Sequence, residues 1–369
     1  MGEEADSKHH QKASFGKISL SAEMQGLIHG VWAPRFGDPL LPRNCENALG
    51  TVAWQLVRQG VSFEEAVPIV GPVWETPGHV LATAWGASPT TFAQVWDQAS
   101  VRFYRNAAHC DEWATIVFYA WPWSSGARLR VALALAHVAR QRGFLSFRSS
   151  VRRLAEVAGV GWSGASGADT KSVRSALAFL EDRGLVVRRV VSDSDESERH
   201  APATAKGSYT LVEPSALPSL LGLGDDYPTT SYLALCSRST GVLSARDEWL
   251  HPVFEEAALG MSACRIWDLL RLLGRTNATE LQAALGWRER RVRAQLSNLA
   301  ELGLASWWSP ANEWSHRDAD LDLVAAELGM ADRADHRRSA FARQRSGFNS
   351  RFKRVAEANR VATSADWGH

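Results

Sequence analysis

The chain repeats itself, and that repeat constrains the architecture more than any other feature. Val173, Arg174, Leu177, Leu180, Gly184 and Leu185 recur as Val292, Arg293, Leu296, Leu299, Gly303 and Leu304, a constant shift of 119 residues. Upstream, Leu154 and Gly159 recur as Leu281 and Gly286 at a shift of 127, so the first copy holds eight more residues between its matching segments. Solenoid repeats recur every ~20–50 residues and number at least three. A longer, diverged, twofold repeat instead describes two similar domains.

Each copy reads as the same string of elements. In the first, Ala127 to Gln141 is apolar at Leu129, Ala132, Leu133, Leu135, Ala136 and Val138, which predicts a helix. Phe144-Leu145-Ser146-Phe147 is a short extended piece, Ser150 to Ala158 a second helix, and Gly159 to Ala168 a Gly/Ser loop. Asp169 or Thr170 is placed to cap a third helix that Gly184 ends. Leu185 to Val191 then predicts a strand, and Ser208 to Val212 its partner, across the acidic stretch 192–207. In the second copy, helices are expected over Ser262–Leu273, Asn277–Leu285 and Arg288–Leu302. A strand over Gly303–Trp308 follows, with a wing tip at Pro310-Ala311-Asn312. Helix, short strand, helix, turn, helix and hairpin is the winged helix-turn-helix order.

Before the repeat lies a helical region. Leu49, Ala53, Leu56 and Val57 form a stripe that Gly60 stops, and Ser62 caps a helix with Glu64 and Glu65 in its first turn, where the helix dipole favours acid. Thr91 to Arg105 is a further amphipathic segment. The expected fold is mainly α: a polar tail over 1–40, a helical domain over 41–124, winged domains over 125–214 and 256–330 joined by a connector over 215–255, and a basic C-terminal helix or tail over 331–369.

The net charge of +1 conceals two basic islands. Residues 126–190 carry 12 basic and 4 acidic side chains, and residues 286–369 carry 14 and 11, while the other two stretches are net acidic. Blocks of one sign point to a partner of the other. Both islands include a third helix, whose apolar residues at steps of four and three face the domain core. The opposite face holds Thr170, Lys171, Arg174 and Ser175 in the first copy, and Arg288, Arg290, Arg291, Arg293 and Gln295 in the second. These residue types hydrogen-bond base edges and phosphates in a major groove, and a helix N-terminus adds partial positive charge. A solvated surface helix carries such residues too. The acidic first wing, with Asp193, Asp195, Glu196 and Glu198, would repel phosphates unless it swings clear. Downstream, Arg337, Arg338 and Arg345 stand in an arginine-rich stretch punctuated by Phe341, Phe348 and Phe352. It reads as an arm that tracks phosphates or stacks bases, or as an amphipathic helix packed on the domain.

Signals for chemistry are mostly negative. Gly159-Val-Gly-Trp-Ser-Gly164 matches a dinucleotide fingerprint, but it follows a helix and fills a turn instead of following a strand. No GxxxxGK[ST], GxSxG or HExxH motif is present, and His109-Cys110-Asp111 has no second cluster to complete a metal site. No cofactor, metal or catalytic residue is expected. Four scattered cysteines, a polar N-terminus and the lack of a long apolar run fit a cytoplasmic protein with no membrane partner. Most of the 16 tryptophans, Trp54 and Trp267 among them, lie on apolar stripes and read as core.

The segment from Arg43-Asn44 to Val70, with Leu49 and Gly60-Val61-Ser62-Phe63-Glu64-Glu65-Ala66, resembles the small helical primase-C-terminal domain that accompanies primase-polymerases and plasmid replication initiators. The repeated domains, with His251-Pro252-Val253-Phe254 through Trp267 and Leu321 to Gly329, look like the DNA-binding C-terminal part of actinobacterial plasmid and phage replication proteins. The resemblance spans residues 40–360 and implies work at a replication origin. Such primases carry metal-binding paired carboxylates upstream. The first forty residues here hold no DxD or ExE, so that reaction does not carry over. The expectation is a non-catalytic initiator, or a fragment of a longer chain. Its partners would be double-stranded DNA at an origin or operator and replication proteins such as a helicase or primase, and the sequence allows a homodimer. Rival readings are a winged-helix transcriptional regulator, a primase-polymerase relative with an unrecognised site, and a protein-binding scaffold.

Overall fold

The computed structural model describes residues 18–123, 126–160, 170–189, 207–222, 247–343 and 346. The described chain is mainly helical with two small sheets. It divides into two compact units at Arg105/Asn106. Turn residues had suggested a break near 124; the division falls instead inside α6 (Pro89–Ala120), and core membership changes within that helix.

The first unit packs α1 (Ala22–Ile28), α2 (Pro42–Val57), α3 (Phe63–Val70), α4 (Pro72–Glu75), α5 (Val80–Trp85) and the start of α6 around one core. Leu49, Val52, Leu56, Val70, Leu81 and Phe92 are fully buried in it. The expectation of a tail over 1–40 fails where the structure describes it. Met24, Leu27 and Ile28 recur at helical spacing and are buried, so Ser21 caps a true helix. His79 secures that helix: Leu81 N–H donates to its Nδ1, while Nε2 lies 3.1 Å from the Leu27 carbonyl and 3.2 Å from that of Ile28. Ser62 makes a capping box with Glu65, as the sequence implies.

The second unit contains both copies of the repeat. The first runs α7 (Gly126–Arg142), β1 (Ser146–Ser149), α8 (Val151–Ala158), α9 (Lys171–Asp182), β2 (Val186–Arg189) and β3 (Gly207–Leu211), followed by α10 (Leu217–Leu220). The second runs α11 (Gly260–Leu273), β4 (Arg275–Thr276), α12 (Ala278–Leu285), α13 (Glu289–Glu301), β5 (Ala305–Trp308) and β6 (Glu313–His316). Each has a three-stranded antiparallel sheet with the last strand in the middle, in the orders β1-β3-β2 and β4-β6-β5. α14 (Leu321–Glu327) and a helix over 330–343, α15, follow. Sequence periodicity had shown neither β4 nor β6.

One hydrophobic core runs through both copies, from Cys110 and Trp113 in α6 to Val292, Leu304 and Phe341. Buried polar links cross it. Tyr119 Oη donates to Asp268, which also accepts from Arg271 Nη2 at 2.9 Å. Arg265 Nη1 donates to the Trp121 carbonyl at 3.3 Å. Phe118 stacks on Trp249 with centroids 4.0 Å apart. Trp267 is buried as expected, whereas Trp54 is half-buried at the edge of the first unit's core, ring edge against Phe103. Among the described residues no helix is long and apolar enough to cross a membrane.

Candidate nucleic-acid interface

The third helix of each copy is divided lengthwise. In α9, Val173, Ala176, Leu177 and Leu180 are buried, while Lys171, Ser172, Arg174 and Ser175 are exposed. In α13, Val292, Leu296 and Leu299 are buried, while Arg290, Arg291, Arg293 and Ala294 are exposed. The shift of 119 pairs Lys171 with Arg290 and Arg174 with Arg293, so both helices expose cations at the same two positions of their N-terminal half. There the unpaired backbone N–H groups add partial positive charge.

The individual side chains differ from a uniform basic face. Arg174, Arg288 and Arg290 are exposed and form no ion pair among the described residues. Arg293 Nε donates to Glu289 Oε1 at 2.7 Å, which offsets its charge. Arg291 is turned back onto its own domain: its guanidinium lies 4.1 Å from the centre of the Trp287 ring and donates to Ser262 Oγ at 2.7 Å. Gln295 does not reach the outer face as expected. It occupies the place of buried Ala176 in the first copy, and its Oε1 is buried without a partner among the described residues. Thr170 stands at the N-cap of α9, half-buried, but its side chain makes no capping hydrogen bond.

In α15 the expectation fails for Arg337. Only 4% exposed, it donates from Nη2 to Glu255 Oε1 at 2.6 Å and from Nη1 to Glu255 Oε2 at 3.0 Å, a bidentate buried pair. Arg130, 1% exposed, lies beside it and donates to the carbonyls of Ala158 at 2.5 Å and Leu250 at 2.7 Å. Burial pulls the Arg130 guanidinium down to about 10, with Glu255 acting the other way. Arg338 is exposed and pairs with Asp335. Phe341 is buried and packs on the core, not on a ligand. Arg345, Phe348, Phe352, the acidic wing residues and the turn from 161 to 169 lie outside the described residues.

His109-Cys110-Asp111 is a packing feature. Burial pushes the Cys110 thiol up to about 12, and Asp111 pairs with Arg140 at 2.9 Å. Among the described residues no three His, Cys, Asp or Glu side chains are grouped to hold a metal ion.

Sequence reasoning missed a second basic surface, on the sheets. Residues directly opposed in an antiparallel ladder share a face. The register places Arg148, Ser208 and Arg189 in one row across the first sheet, with Ser146, Thr210 and Val187 in the next. Arg148 and Arg189 are exposed. In the second sheet, Arg275, Ser315 and Ser306 form the corresponding outward row. The shift of 127 maps Arg148 onto Arg275, each two residues before the N-cap of the following helix, Ser150 or Asn277. That register was legible in the sequence, but the outward orientation required the strands.

No family model, curated protein or solved structure matches the chain.

Proposed function

We propose that the protein binds double-stranded DNA sequence-specifically through two winged helices, without itself being an enzyme, and acts in plasmid or phage replication initiation. The observation that carries this reading is the repeated pair of exposed cations, Lys171 and Arg174 on α9 and Arg290 and Arg293 on α13, on helices whose other face is buried. Helix, strand, helix, helix and hairpin around a three-stranded sheet is the arrangement in which a third helix enters a major groove. Arg174 and Arg290 would make the principal contacts, Lys171, Arg288 and Ser175 flanking ones. Arg291 and Arg293 would have to leave Trp287 and Glu289 before joining them. The resemblance of the first unit to primase-C-terminal domains supports the replication role, with that unit holding a helicase or primase.

The test is duplex affinity against salt for Arg174→Ala and Arg290→Ala. Each replacement is expected to weaken binding and to lower the slope of log affinity against log salt by about 1. Unchanged affinity and slope would overturn the reading. A regulator with the same domains would occupy many promoters, whereas an initiator would occupy one origin, and chromatin mapping separates them.

A further inference from the structure

We propose that the outward faces of the two β-sheets hold single-stranded DNA, a ligand and a surface separate from the duplex and the third helices. The first face joins two exposed arginines, Arg148 and Arg189, on either side of Ser208 in one cross-strand row. Its next row is the hydroxyl pair Thr210 and Ser146, 2.9 Å apart, with Val187. No carboxylate stands among these six residues. The second face keeps part of the plan: Arg275 opposes Ser315, and the third place in the row is Ser306, its Oγ 2.8 Å from Ser315 Oγ, where the first face has Arg189. The two copies have diverged at most positions, yet both keep an arginine at this place with a serine opposite it, and both set two hydroxyls against each other on the same face.

The second face adds an aromatic ring. Trp308 is 48% exposed, shares the outward face with Ser306 and Arg275, and carries the Arg275 guanidinium 4.6 Å from its ring centre. Glu313, opposite Trp308 and half-buried, is the one carboxylate among the paired residues of the two faces. The guanidinium covers part of the ring, and the remainder of the indole stays in water at a cost that a stacked base would offset.

Arginines and hydroxyls at strand spacing suit a row of phosphates, and an exposed indole beside a guanidinium suits a nucleobase. A duplex has its base faces stacked inside and cannot offer one to Trp308. A single strand can turn a base onto the ring while its backbone follows the arginines, as on other sheet-face binders. The sequence offered the C-terminal phenylalanines either for base stacking or for packing; Phe341 packs in the core, Phe348 and Phe352 lie outside the described residues, and Trp308 offers an exposed ring beside an arginine.

The experiment uses the full chain and measures fluorescence anisotropy with labelled oligo(dT) of about 20 nucleotides and a labelled duplex of equal length. Trp308→Ala, Arg275→Ala and the double variant Arg148→Ala/Arg189→Ala are expected to lose about five- to tenfold in oligo(dT) affinity while staying within about twofold on duplex. Arg290→Ala is expected to do the reverse, and Trp308→Phe to keep most of the oligo(dT) affinity; circular dichroism confirms that each variant is folded. The inference is overturned if the wild-type chain does not bind oligo(dT), if the sheet variants bind it as the wild type does, or if they weaken both probes equally. Equal competition from polyglutamate also overturns it, because the surface would then read charge alone. Loss of duplex binding by the wild type, with oligo(dT) binding still sensitive to the sheet variants, would sink the duplex reading and leave this one standing.

Discussion

Gly159 and Gly286 end equivalent helices in the two copies with nearly the same left-handed backbone, φ +66° and +63°. Their surroundings differ. A Cβ on Gly159 would run into Glu255 Oε1 and lie 2.8 Å from Arg130 Nη2, whereas a Cβ on Gly286 would meet nothing within 4 Å. Gly286→Ala is therefore expected to cost only the backbone penalty, about 1–2 kcal/mol, and Gly159→Ala about 1–3 kcal/mol more for forcing apart a packed, charged cluster. Urea unfolding of both variants checks this; equal costs would mean that Glu255 and Arg130 move aside freely. Both glycines were readable as helix ends, because that signal is local. The reason for Gly159's emptiness was not, since Arg130, Glu255 and Arg337 arrive from distant parts of the chain. Arg337 was misplaced for the same cause. Its neighbours Arg333 and Arg338 advertise a solvated face, and nothing near it in sequence announces the buried carboxylate 82 residues away.

At the scale of elements, helix starts were the most legible feature, because a cap and its partner sit three residues apart. Asn277 opens α12 with a capping box: its Oδ1 accepts from Glu280 N–H at 2.9 Å, and Glu280 Oε2 accepts from Asn277 N–H at 3.3 Å and from Thr276 Oγ1 at 2.6 Å. These donors, the Thr276 hydroxyl foremost, hold the Glu280 carboxyl below its ordinary value of 4.5. A depressed carboxyl stabilises the fold above its unfolded-state value and loses that contribution as pH falls through the lower folded one. Stability should thus decline on acidification below pH 4.5, and Glu280→Gln should flatten that decline while lowering stability near neutrality; urea titrations across the acid range test both. The strands were less legible. β4 is two residues long and Glu313-Trp-Ser-His316 has no clear alternation, so only their pairing, β4 to β6 and β6 to β5, defines them.

At the scale of the whole molecule, the repeat reads as two separate winged domains, whereas in the second unit both copies share one core. The repeat was visible because corresponding leucines keep their spacing. The fusion was not, because Arg130 to Met261 Sδ between the copies, and Tyr119–Asp268 and Arg337 to Glu255 and the Gly159 carbonyl around them, join residues that share no local pattern. The two copies are accordingly expected to unfold together, so that amides in α9 and α13 lose hydrogen-exchange protection at the same denaturant concentration. Arg337→Ala leaves the Glu255 carboxylate buried without its bidentate partner, at a cost of about 3–5 kcal/mol. Exchange protection in both helices should fall by the corresponding amount. A loss confined to one copy would refute the joint core.

Such a joint core also removes slack. Two reading heads on a floppy tether tolerate targets with variable gaps but pay, at each docking, for gathering the second head. Heads set in common packing forgo that tolerance and that payment together. On the proposed reading this protein works as a fixed gauge: a spacer one base pair longer or shorter between its two recognition elements would defeat it, although every contacted base remained in place.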